Sequence, residues 1–101
     1  MFVVSLTYTS PIEGIERFLS EHVEYLDQHY ASGHFQLSGR KVPRTGGLII
    51  ATAKNRDELE QILAKDPFHR EGLASYEVTE IVPTKSSQAL GFLVESATGD
   101  R

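Results

Sequence analysis

The sequence contains no cysteine, and no hydrophobic run approaches the roughly 20 apolar residues needed to span a bilayer. The first absence excludes disulfides, thiolate metal sites and a cysteine nucleophile, and is compatible with a reducing cytoplasm. Positive charge is also scarce. Ten Lys plus Arg stand against fourteen Asp plus Glu, a formal net charge of −4, so no broad positive field exists to neutralise phosphates or anionic lipid. Neither nucleic acid nor a membrane surface is therefore expected as a partner. The N-terminal stretch from Met1 to Leu6 has no basic segment and runs directly into Thr7, Tyr8 and Thr9, too short for a signal core. The chain is expected to be cytoplasmic.

What is present fits one folded unit. The 101 residues are 40% hydrophobic and 24% charged, near the globular average, and two independent cores would each be too small to hold together. A chain of this size removes only roughly 60–70% of its surface from water on folding, so a homodimer is expected as a way to bury more.

Phe2 to Tyr8 alternates at the period of a strand. Ser10, Pro11 and Glu13 then form a capping-box pattern, and Ile12, Ile15, Leu19, His22, Val23, Leu26 and Tyr30 recur at helical steps until Gly33 offers a left-handed C-cap. A second strand is predicted over His34 to Ser38, then a cationic loop over residues 39–47 with Arg40, Lys41 and Arg44, and a third strand from Leu48 to Ala53. Asn55 and Glu58 cap a second helix with an apolar edge of Leu59, Ile62 and Leu63, which Asp66-Pro67 ends. Leu73 to Val82 is read as strand four, with Ala74, Tyr76, Val78 and Glu80 on one face. The order is βαββαβ: an α+β domain over residues 1–83, ferredoxin-like, with two helices on one face of a four-stranded antiparallel sheet. Residues 84–101 read as a C-terminal extension whose apolar patch, Leu90 to Val94, is expected to add an edge or swapped strand. The last few residues are expected to be loose.

Two residues stand out chemically. His22 interrupts the apolar stripe of the first helix, where imidazole serves either as a general base or as a satisfied, partly buried histidine. Asp66, before Pro67, either caps the following turn or holds a histidine in one tautomer. Ser38 and Gly39 place a small hydroxyl beside a glycine, which permits a ligand close to the backbone, or simply end a strand. Arg40, Lys41 and Arg44 suit a carboxylate or phenolate, or are solvated loop charges. His22, His29, His34 and His69 lack a short metal-ligand motif, and Gly46-Gly47 completes neither a dinucleotide fingerprint nor a P-loop. Neither metal nor cofactor is predicted.

Taken together, His22 to Leu26, Gly33, Ser38-Gly39, Gly46-Gly47, Asp66-Pro67-Phe68 and Tyr76 to Val78 resemble the YciI-like family, over most of the chain from Met1 to Pro83. The resemblance implies a dimeric α+β barrel assembly and a cleft holding a His and an Asp, which by position are His22 and Asp66, bordered by Ser38 and Gly39. It fixes no role for Arg40, which is taken as substrate-binding from its charge and position. The implied activity is that of a cofactor-independent lyase or isomerase acting on a small cyclic or aromatic acid or phenol. The competing reading is a non-catalytic protein that binds a small molecule in the same cleft. An RNA-binding domain of similar fold is disfavoured by the acidic balance and the absence of an RNP-type aromatic motif.

Overall fold

A computed structural model describes residues 1–96 of the chain. Strands β1 (Phe2–Tyr8), β2 (Phe35–Arg40), β3 (Gly46–Ala51) and β4 (Ala74–Glu80) form one sheet in the order β2-β3-β1-β4, with every neighbouring pair antiparallel. Helices α1 (Ile12–Arg17), α2 (Leu19–Ala31), α3 (Arg56–Leu63) and α4 (Pro67–Arg70) occupy the connections. This is the ferredoxin-like α+β arrangement.

Register follows from the alternation in β1. Phe2, Val4 and Leu6 are buried, and their partners Ala51, Ile49 and Gly47 on β3 and Glu80, Val78 and Tyr76 on β4 share that face. Tyr25 from α2 and Leu59, Ile62 and Leu63 from α3 close the core over it. A second cluster of Ile15, Phe68 and Leu73 packs with Tyr8, Ile12 and Phe18. The opposite sheet face carries Val3, Ile50, Leu48 and Leu37, the last two exposed, and no helix of the main core covers it among the described residues.

Several boundaries differ from the sequence reading. The first helix is broken at Phe18, whose amide bonds to the Ile15 carbonyl three residues back, tightening the turn while its ring joins the second cluster. Pro11 takes the N-cap position and no side chain caps this helix, so the Ser10 capping box is not made. The predicted loop over 39–47 shrinks, because Gly39 and Arg40 extend β2 and Gly46 and Gly47 open β3. Backbone proximity explains those two glycines: a Cβ on Gly46 would sit 1.8 Å from the Leu6 carbonyl oxygen, and one on Gly47 would sit 2.9 Å from that of Gly39. Gly33, at φ 86°, does provide the left-handed C-cap.

The expected strand in the C-terminal extension is corrected as well. Gln88–Leu90 form a 3₁₀ turn and Gly91–Ser96 a helix, α5, and neither joins the sheet. Leu90, Leu93 and Val94 stand three and four positions apart, which is helical rather than strand spacing, and the last two are buried. The looseness expected of the last few residues concerns positions outside the described residues. No helix among the described residues is long and apolar enough to cross a membrane.

Candidate active site

The chain delivers Asp66 to the interior at the break between α3 and α4. The extended backbone of Asp66 and the fixed φ of Pro67 at the first helical position start α4, and the Asp66 side chain accepts the Phe68 amide as its N-cap. The carboxylate is completely buried. A buried charge persists only when its lone pairs are filled, and three donors fill these. Oδ1 accepts from the Phe68 N–H at 3.0 Å and from His22 Nδ1 at 2.8 Å, and Oδ2 accepts from the Tyr76 hydroxyl at 2.6 Å. Capping and holding the histidine were alternatives in the sequence; here one carboxylate does both, because its two oxygens face different elements.

His22 projects from the first turn of α2, and its ring lies flat on Phe68, with centroids 4.0 Å apart and planes 6° from parallel. That stacking, with the bond to Asp66, fixes the ring's orientation. Since the carboxylate can only accept, Nδ1 carries the hydrogen, and in the neutral ring the lone pair resides on Nε2. Nε2 has no hydrogen-bond partner among the described residues, where no buried side-chain nitrogen or oxygen is left unsatisfied, so it reaches solvent.

That solvent fills a cleft of about 280 Å³ between α2 and the helix-covered face of the sheet. Leu6, Leu19, Val23, Leu26, Ile49 and Phe68 supply its apolar wall, and His22, Ser38, Arg40 and Arg44 its polar groups. Ser38 and Arg40 share the face of Ile49 and Gly47, so both side chains lie on the cleft side of β2. The Ser38 hydroxyl is 2.6 Å from that of Tyr30. Gly39 lies between them in the lining through its backbone, since its register with Leu48 turns its missing side chain to the opposite face of the sheet. His22, Ser38, Gly39, Arg40 and Arg44 therefore border one cleft, with Asp66 directly behind its wall, whereas Lys41 is outside the lining and donates to the Thr7 hydroxyl at 3.2 Å.

Tyr76, Phe68 and Tyr30 escaped the sequence reading as parts of the site. Tyr76 left a signal: a hydroxyl at a core-facing strand position requires a buried partner. Phe68 and Tyr30 looked like ordinary core and helix-stripe residues. The other histidines stay apart from this cleft. His29 Nδ1 bonds to the Tyr25 carbonyl one turn back, and His34 contacts Ser32 and Glu58. No group of three His, Cys, Asp or Glu converges to hold a metal among the described residues.

Burial raises the ionisation of both Tyr25 and Tyr76 well above the ordinary tyrosine value, and the negative charge of Asp66 adds to the effect. Tyr76 thus remains a donor to the carboxylate, and Tyr25 a donor to the Ile62 carbonyl at 2.9 Å.

These features define a ferredoxin-like α+β domain with a solvent-facing imidazole supported from behind by a buried carboxylate. The YCII-related domain model matches residues 1–82, and the chain belongs to that family. Among curated proteins no match is found. Among solved structures, the chain is similar to 5-chloro-2-hydroxyhydroquinone dehydrochlorinase (TftG) from Burkholderia phenoliruptrix AC1100, in complex with 2,5-dihydroxybenzoquinone. The likeness has a TM-score of 0.68 at 22% identity and covers 80% of this chain and 93% of that one. At that identity it shows the shared fold.

Two predictions follow from the carboxylate and its donors. In the wild type, ¹⁵N NMR of neutral His22 should show the proton on Nδ1. Asp66→Ala should abolish that preference and cost roughly 3 kcal/mol or more, since it removes a cap and strands three donors; an unchanged tautomer in the variant contradicts the assignment. The second prediction concerns alkali. The unfolded chain releases the two tyrosine protons near pH 10 while the fold retains them, so their contribution is intact below that pH and lost as pH rises above it. The unfolding free energy from denaturant titrations between pH 9 and 11.5 should fall, by up to about 1.4 kcal/mol per pH unit for each tyrosine, and less steeply in Tyr25→Phe and Tyr76→Phe. Equal slopes in all three proteins would count against this.

Proposed function

We propose that the protein is a cofactor-independent lyase or isomerase of small cyclic or aromatic acids or phenols, with His22 as the proton-transfer group. The observation that carries this reading is the split of the imidazole between two environments. Nδ1 is tied at 2.8 Å to a fully buried carboxylate, and Nε2 opens into an apolar cleft. That is the arrangement of a general base with its orienting acid. Nε2 takes a proton from a substrate carbon, and Asp66 stabilises the resulting imidazolium without accepting the proton itself. The C–H electron pair then forms a double bond to the adjacent carbon. In an elimination that carbon releases its leaving group with the bonding pair; in an isomerisation that carbon's existing double bond gives up its π pair to the next carbon, which takes the proton back from the imidazolium.

The remaining groups take binding roles. Ser38 can accept from Tyr30 and donate its own hydrogen to a substrate oxygen, since the two hydroxyls are 2.6 Å apart. Gly39 contributes backbone that a ligand can approach, and Arg40 supplies positive charge. The likeness in fold to a dehydrochlorinase seen with a six-membered quinone supports a ring substrate and elimination chemistry.

Turnover by the wild type should be sought across a panel of ring acids and phenols, with product identified by mass spectrometry. His22→Ala should lower the rate by about 10²- to 10⁴-fold. Turnover unchanged in both His22→Ala and Asp66→Ala would falsify the proposal, and saturable binding without turnover across the panel would favour the accessory-protein reading.

We also propose that the protein works as a cytoplasmic homodimer. The sheet face opposite the main core carries the apolar Val3, Leu37, Leu48 and Ile50 beside the polar Ser5, Glu77 and Thr79, so a second copy packed over the β2–β3 side would complete the burial of its apolar residues. Light scattering at micromolar concentrations should return twice the 11.3 kDa chain mass, and a monomer throughout that range removes the claim.

A further inference from the structure

The cleft carries a charge opposite to that of the chain. Against a net charge of −4, its lining includes Arg40 and Arg44 and no Asp or Glu, since the Asp66 carboxylate is sealed behind His22. Arg40 stands opposite Gly47, which in turn stands opposite Leu6, and this register turns its side chain toward the cleft. Gly47 leaves no room for a side chain there, since a Cβ would sit 2.9 Å from the Gly39 carbonyl oxygen. Arg40 is held by its backbone in the β2–β3 ladder, and its side chain makes no hydrogen bond or ion pair with another described residue. Arg44 arrives from the β2–β3 connection, and its partner is Glu16 at 3.4 Å, both side chains being substantially exposed. An exposed pair of this kind contributes little and is readily exchanged for a better acceptor.

We propose that Arg40 and Arg44 form an anion subsite at the cleft mouth, and that the substrate is a carboxylate on a single ring or an apolar skeleton of similar size. The inference rests on the reading of the cleft as the substrate site and chooses the acid over the phenol. The planar guanidinium fork matches the two oxygens of a carboxylate, whereas a neutral phenol offers one hydroxyl and no charge. The ring lies against Leu6, Val23 and Leu26, where water gives way to apolar contact. A volume of about 280 Å³ is at the small end for ligand clefts and suits one ring. In this pose the ionised group is a handle, held at the mouth while the skeleton extends toward His22 Nε2. Field focusing in a low-dielectric cleft strengthens the attraction beyond what the same arginines exert on an open surface.

The test uses the full chain with benzoate and its uncharged analogue benzamide as probes, followed by NMR on the His22 ring and the methyl groups of Leu6, Val23 and Leu26. Benzoate should shift these signals at lower concentration than benzamide, and more weakly as salt rises. The double variant Arg40→Gln/Arg44→Gln should weaken benzoate binding about tenfold and leave benzamide binding unchanged. Both side chains reach solvent, and an unchanged melting temperature checks that the variant is folded. Equal affinity for the two probes, wild-type benzoate affinity in the double variant, or no shift with either probe overturns the subsite. The two readings fail separately: turnover of a neutral phenol that depends on His22 but not on Arg40 or Arg44 overturns the subsite and leaves the enzyme standing, whereas benzoate binding that needs both arginines, with turnover unchanged in His22→Ala and Asp66→Ala, keeps the subsite and overturns the enzyme.

Discussion

The site depends on one buried carboxylate. Asp66 would be untenable in the interior without compensation, since an ion removed from water must recover its solvation from fixed dipoles and donors. It does so through three elements distant in sequence: the α4 backbone, the α2 histidine and the β4 tyrosine. The same bonds that make the charge tolerable join α2, α4 and β4 around one point. Stability and site geometry are thus a single constraint. His22 cannot drift without leaving an acceptor unfilled, and Asp66 cannot be replaced by an apolar residue without stranding a buried hydroxyl and a helix amide.

This coupling gives the histidine its chemical asymmetry. An imidazole free on a helix surface could bear its hydrogen on either nitrogen. Bonded to a permanent acceptor on one side and pressed flat on Phe68, the ring is fixed in direction, and its neutral form has the lone pair on Nε2 alone. Apolar side chains line most of the cleft that the ring borders, and the arginines are the permanently charged groups in that lining. The small fold therefore arranges its polar groups by depth: a buried carboxylate at the back, an imidazole in the middle and two guanidinium groups in the lining.

The glycines of β3 show how closely the backbone is drawn in around this cleft. Gly46 and Gly47 looked like loop residues, because glycine and proline cluster over 39–47 and three basic residues accompany them. In the fold they are strand residues whose missing side chains let β1, β2 and β3 approach at the end of the sheet where the cleft lies. The signal was ambiguous because the sequence records that a side chain is excluded without saying which backbone excludes it. A similar ambiguity affected the C-terminal patch. Its run of apolar residues fits a strand locally, yet the three- and four-residue spacing of Leu90, Leu93 and Val94 is satisfied by a helix.

By itself the sequence determined the element order, the core face of β1, the caps at Asn55 and Gly33, and the candidate residues His22 and Asp66. Each of these follows from short-range rules of periodicity and capping that act within a few residues. Tertiary structure alone decided that His22 and Asp66, 44 positions apart, meet at 2.8 Å, that Tyr76 completes the acceptor's shell, and that Arg40 faces the cleft. Those facts depend on the crossing of helices over the sheet and on strand register, where a shift of one residue reverses every side chain. No local pattern encodes them, because the partner that satisfies a buried charge is chosen by packing across the whole domain.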